Sequence, residues 1–151
     1  MSSVYLALGA LLFIGSQAAV QAQDANREVV VTRSDLGSIV NSLAKRTGDF
    51  KGEFDHEVEH TMDNKHVEER AKNRADDLHD SAKRLKDVYD DKHDKLSPKV
   101  RQDVDKTLAA GSELSKVMQD HRFTDRLQRN WEDLRSDLNA LAAVYALTPI
   151  Q

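Results

Sequence analysis

The chain has 151 residues and a formal net charge of -4, with 32% charged and only 5% aromatic residues. That length holds one domain, and a mildly acidic surface with both signs interspersed gives no electrostatic footprint for nucleic acid or anionic lipid. Cysteine is absent, which excludes disulfides, thiolate metal ligands, cysteine nucleophiles and lipid attachment through an N-terminal cysteine.

The first element is an address. Val4 to Gly15 (VYLALGALLFIG) is an apolar run, followed by the small and polar stretch Ser16 to Ala22 (SQAAVQA). A membrane-spanning helix needs roughly 20 apolar residues, whereas a signal-peptide core needs only about 7 to 15. The run therefore predicts a signal peptide over 1–22, with Val20 and Ala22 as the small residues before a scissile bond to Gln23. Met1 to Ser3 holds no lysine or arginine, so positive charge comes from the amino terminus alone. Export would place the mature chain in the periplasm or outside the cell, free of the membrane after cleavage. A retained membrane anchor is the competing expectation. Residues 23–33 follow as an extended lead-in, because the β-branched run Val29 to Thr32 is too short and isolated to nucleate a sheet.

From Ser34 onward apolar residues recur every three or four positions, the helical period. Ser34 is a good N-cap for a first helix over 34–61, with Leu36, Ile39, Val40, Leu43, Thr47, Phe50, Phe54, Val58 and Met62 on one face. Asp63 and Asn64 can each cap a second helix over 65–93, whose stripe of Val67, Ala71, Ala75, Leu78, Ala82, Leu85 and Tyr89 is narrow and alanine-rich. Ser97 followed by Pro98, a proline at the first helical position, starts a third helix over 98–120. Val100, Val104, Leu108, Gly111, Leu114, Val117 and Met118 line its inner face, and Gly111 permits a close helix approach. Thr124, with Asp125 in the first turn, starts the fourth over 125–146. Its seam of Leu127, Trp131, Leu134, Leu138, Leu141 and Tyr145 has heptad spacing, and Thr148 and Pro149 end it. Four helices with such short connections predict an all-α, antiparallel up-down-up-down four-helix bundle over 34–147. Trp131, Tyr89 and Tyr145 sit on these stripes and are expected in the core.

The stretches SAKRLKDVYDDK (81–92), VMQDHRFTDRL (117–127) and WEDLRSDLNALAAVY (131–145) resemble a group of small exported helical proteins of the acidobacterial type. The group is typified by a C-terminal helix reading Trp-x-x-[Leu/Val]-Arg-x-Asp-Leu-x-x-Leu-Ala-x-x-Tyr. Here those positions are Trp131, Leu134, Arg135, Asp137, Leu138, Leu141, Ala142 and Tyr145. The resemblance spans Leu43 to Tyr145 and implies export and a helical fold; it brings no activity. The His-rich end of the first helix departs from the pattern.

That end carries the sharpest chemical string, His56-Glu57-Val58-Glu59-His60. Two imidazoles one helical turn apart can share a zinc with the glutamate as general base. At about 100° per residue, with Phe54 at the centre of the apolar stripe, both histidines fall on the side away from the core. A zinc peptidase also needs a third ligand and a sheet edge for its substrate, and the pattern supplies no strand. A second cluster, Asp90, Asp91, His93 and Asp94, gathers oxygens at a helix C-terminus, where the dipole disfavours them and a cation would relieve them. Gly48 and Gly52 form a small-xxx-small pair among charges that exclude a membrane setting. Arg135 and Asp137 lie off the seam as solvated or interhelix pairs. The expectation from sequence is a non-enzymatic exported bundle that binds a protein partner or itself as a homo-oligomer, with no nucleic acid partner. The alternative is a periplasmic protein holding zinc or another divalent cation at His56 and His60, with metalloprotease chemistry as its extreme form.

Overall fold

A computed structural model describes residues 36–92 and 96–151. They form four helices, α1 (Leu36–Thr61), α2 (Lys65–Lys92), α3 (Pro98–Asp120) and α4 (Asp125–Val144), and no strand among the described residues. The fold is all-α, as the apolar period predicts. The expected signal peptide, the expected extended lead-in and the expected cap Ser34 all lie outside the described residues. Helix α1 packs on α2 and α4, α2 also packs on α3, and α3 meets α4 in the thinnest contact of the four.

The polar interruptions act as expected at two of the three connections. The Asn64 side-chain oxygen accepts from the backbone N–H of His66 at 3.0 Å and of Val67 at 3.3 Å, so Asn64 caps α2. Thr124 caps α4 by accepting from Leu127 N–H. At α3 the outcome differs: Ser97 occupies the N-cap position with Pro98 behind it, yet its hydroxyl makes no capping bond. Proline at the first helical position still removes one orphan donor and presets φ, which starts the helix without the hydroxyl.

One contiguous core joins the four stripes. Ala71, Ala75 and Ala82 are buried on α2, where small side chains bring its backbone close to its neighbours. Val88, not Tyr89, closes that stripe, and Tyr89 is half-buried with its ring edge 3.3 Å from where a Cβ on Gly37 would stand. Of the three aromatics expected in the core, only Trp131 is buried; Tyr145 is half-buried, with the Arg101 guanidinium 5.3 Å from its ring centroid. An aromatic ladder runs along α1: Trp131 to Phe50 at 5.8 Å, Phe50 to Phe54 at 5.5 Å, and Phe54 to Phe123 at 5.4 Å between centroids. Phe123 belongs to no helical stripe, so periodicity misses it, yet it fastens the α3–α4 connection over α1.

The inner face of α3 also carries Asp103, Thr107 and Ser115, all buried. Thr107 satisfies its hydroxyl within the helix on the Asp103 carbonyl at 2.8 Å, as Thr47 does on Leu43 at 2.8 Å. Helix α4 stops at Val144, short of the expected residue 146. Leu147 N–H donates to the Ala142 carbonyl and Ala146 N–H to the Ala143 carbonyl, with Ala146 at φ 52°. That is the pattern of a Schellman stop with alanine where glycine is usual. The chain then turns back, and Ile150 is buried beside Gly111 and Leu138 at the thin α3–α4 seam.

Candidate functional site

Helix α1 brings His56 and His60 together as its spacing requires. Their rings lie 4.5 Å apart between centroids with planes inclined by 17°, and both side chains are exposed. His60 Nδ1 lies 2.7 Å from the His56 carbonyl oxygen. A carbonyl only accepts, so Nδ1 holds the proton of this bond and the neutral ring carries its lone pair on Nε2.

Glu57, the residue that would serve as general base in a zinc site, is committed elsewhere. One carboxylate oxygen accepts from the Thr124 backbone N–H and the other from the Thr124 hydroxyl at 2.7 Å. In a capping box the third residue of a helix reaches back to the N-cap N–H. In α4 that residue is Leu127, which is buried in the core, and Glu57 of α1 fills the role from across the helix pair. Its negative charge also suits the positive end of α4. One turn earlier, Glu53 accepts from Arg126 and from Asn130. Two acids at i and i+4 of α1 thus lace the start of α4 to it, a function that the His-Glu-x-x-His string hides.

Glu59 points the other way and pairs with Lys72 of α2 at 2.7 Å, while Lys72 also takes Glu68 at 2.8 Å. The Lys72 hydrogen bond holds the Glu59 carboxyl below its ordinary value, and Glu59 and then Glu68 raise the Lys72 ammonium. On the same helix, hydrogen bonds to Asp55 and then Asp76 raise the Lys51 ammonium.

Between the last half of α1 and the start of α4 lies an open groove of about 580 Å³, lined by Gly52, His56, His60, Thr61, Thr124 and Leu127 among others. Gly52 widens it, since a Cβ there would meet nothing within 4 Å. Gly48, its small-xxx-small companion, instead admits the His79 ring, 3.2 Å from where its Cβ would stand.

The second cluster is only partly described. Asp90 accepts from Lys86 at 2.5 Å and Asp91 pairs with Lys92 at 2.8 Å, which raises both ammonium groups, while His93 and Asp94 lie outside the described residues. Among the described residues no three His, Asp or Glu side chains gather as a cation site. Asp137 is an interhelix partner, accepting from Ser42 of α1 at 2.7 Å and facing Arg46 at 3.3 Å; Arg135 pairs within α4 with Glu132.

No known protein family matches the chain, and no curated protein or solved structure matches it either. Among the described residues no helix is long and apolar enough to cross a membrane.

Proposed function

We propose that this is an exported, non-enzymatic helical protein that acts by binding a protein partner or a second copy, using the groove between α1 and the start of α4. The observation that carries this is Gly52. A glycine in the middle of a helix costs about 0.5–1 kcal/mol relative to alanine. Alanine would fit here without touching anything, so stability alone favours alanine, whereas an open wall to the groove favours glycine. The commitment of Glu57 to Thr124 supports a non-enzymatic role, because it leaves the histidine pair without its base.

In this proposal the helices run up-down-up-down. The short connections 62–64, 93–97 and 121–124, together with the packing of α1 on α4, support that course. Export rests on the apolar run Val4 to Gly15 and the small residues before Gln23, and the resemblance of the C-terminal helix to small exported proteins agrees with it.

A photo-crosslinking residue at position 52, compared with one at the exposed Asp80 of α2, tests the binding half in cells that express the chain. Adducts from position 52 and none from position 80 are expected; no adduct from 52 refutes the groove. Mass spectrometry of the same material tests export separately, with a mature N-terminus at Gln23 expected and retention of Met1 counting against it.

A further inference from the structure

We infer that His56 and His60 form a two-imidazole site for a divalent cation of the copper(II) or nickel(II) kind, with water completing the coordination. Spacing and exposure come first. The residues stand at i and i+4 on the outer face of α1, with rings stacked 4.5 Å apart, and neither ring is packed into the core, so the His56 ring can turn out of the stack toward an ion on the oriented His60 ring. The second support is the tautomer. Histidines that bind metal usually donate the other ring N–H to a carbonyl or carboxylate, which fixes the ring and raises its basicity. His60 already does so through Nδ1 to the His56 carbonyl, leaving Nε2 as the ligand atom.

The surroundings then select the ion. Glu57 is held by Thr124 and Glu59 by Lys72, so neither neighbouring acid is free to join. Structural zinc sites take four protein ligands and catalytic ones three, and among the described residues no third His, Asp or Glu accompanies the pair. Two imidazole nitrogens with waters are instead a tetragonal N,O field, the one copper(II) and nickel(II) prefer, and copper(II) also leads the affinity order for such ligands. The site binds without hydrolysing, because the glutamate that would activate water is the cap of α4. This goes beyond the binding groove proposed above and holds whether or not residues 1–22 are removed.

Calorimetric titration of the full chain with Cu2+ alone, followed by electron paramagnetic resonance of the loaded protein, tests the site. One equivalent bound at micromolar metal, with a two-nitrogen signature, is expected. The double variant His56→Ala/His60→Ala should lose more than tenfold in affinity, while Glu57→Gln and the control pair His66→Ala/His121→Ala should keep it. The histidines are exposed and alanine is the better helix former, so helicity by circular dichroism should be unchanged; a His56→Gln/His60→Gln pair gives the same comparison if it is not. Absence of uptake, a loss of less than tenfold in the histidine pair, or dependence on Glu57 or on the control histidines overturns the assignment.

Discussion

Ile150 fills the place of the side chain that Gly111 lacks. A Cβ on residue 111 would stand 2.8 Å from Ile150 Cδ1 and 2.9 Å from Leu138 Cδ1. The notch thus receives the C-terminal segment at the seam where α3 and α4 touch least. Polar contacts hold the segment on either side of the notch. Asn139 accepts from the Ile150 N–H at 2.7 Å and donates to its carbonyl at 3.4 Å, while Ser115 donates to the Gln151 carbonyl at 2.5 Å.

Gly111→Ala should therefore change sign with its neighbour. In the parent chain the added methyl must push aside two core side chains, which offsets the gain of about 0.5–1 kcal/mol that alanine brings to a helix. In an Ile150→Ala background one obstruction is gone, and the same substitution should be less costly or stabilising. Ile150→Ala alone should cost about 2 kcal/mol, the low end for a core isoleucine. A double-mutant cycle by urea denaturation measures the coupling, and additivity within about 0.5 kcal/mol would contradict the notch.

Gly52→Ala is the matching control. Nothing lies within 4 Å of the new methyl, so only the propensity gain remains. The variant should be more stable by about 0.5–1 kcal/mol, read as a higher urea midpoint with an unchanged slope.

Ala146 holds φ 52° at the stop of α4, a region that costs an L-residue roughly 1 kcal/mol or more. Ala146→Gly should raise stability by several tenths to about 1 kcal/mol, the gain being trimmed by the greater freedom of glycine in the unfolded chain. Thermal unfolding checks it, and a lower Tm would mean that the Schellman geometry does not govern this end.

What the sequence made legible is what repeats along a helix. The stripes of α1 and α4, the Asn64 and Thr124 caps and the outward placement of His56 and His60 all follow from a period of 3.6 and local chemistry. Phe123 and Ile150 were not legible, because each sits in a connection or tail and packs on the core only through what the tertiary fold brings beside it. Glu57 shows the deeper limit. Its spacing to His56 and His60 spells a catalytic string, but its partner is 67 positions away in sequence, and only the packing of α1 against α4 discloses that it is a cap.

That role predicts how Glu57 fails. Glu57→Ala should remove the acceptor for two Thr124 donors and cost about 1 kcal/mol, the usual cost of a lost helix cap. Thr124→Ala should cost a similar amount through loss of the Leu127 N–H acceptor, and the double variant should cost less than the sum of the two, since they share the bond between the Thr124 hydroxyl and Glu57. Hydrogen exchange should place the loosening in the first turn of α4. If exchange instead rises around His56 and His60 alone, the carboxylate is supporting the histidine pair.

The Glu59–Lys72 pair sets a pH window. Glu59 is held below its ordinary 4.5 by Lys72, so its contribution to stability is present above that value and is lost as pH falls through the lower folded-state value. Lys72 is raised above its ordinary 10.5, so its contribution is present below that value and is lost as pH rises through the folded-state one. The contribution is therefore full from about 4.5 to 10.5 and declines progressively beyond either end, the pair itself breaking only past the shifted folded-state values. Carbon-detected NMR titration of the Glu59 carboxyl should give a midpoint below 4.5 in the parent. In Lys72→Met the midpoint should return upward, because both the hydrogen bond and the facing charge are removed. An unchanged midpoint would show that the contact does not persist in solution, where exposure to water and salt weakens surface ion pairs.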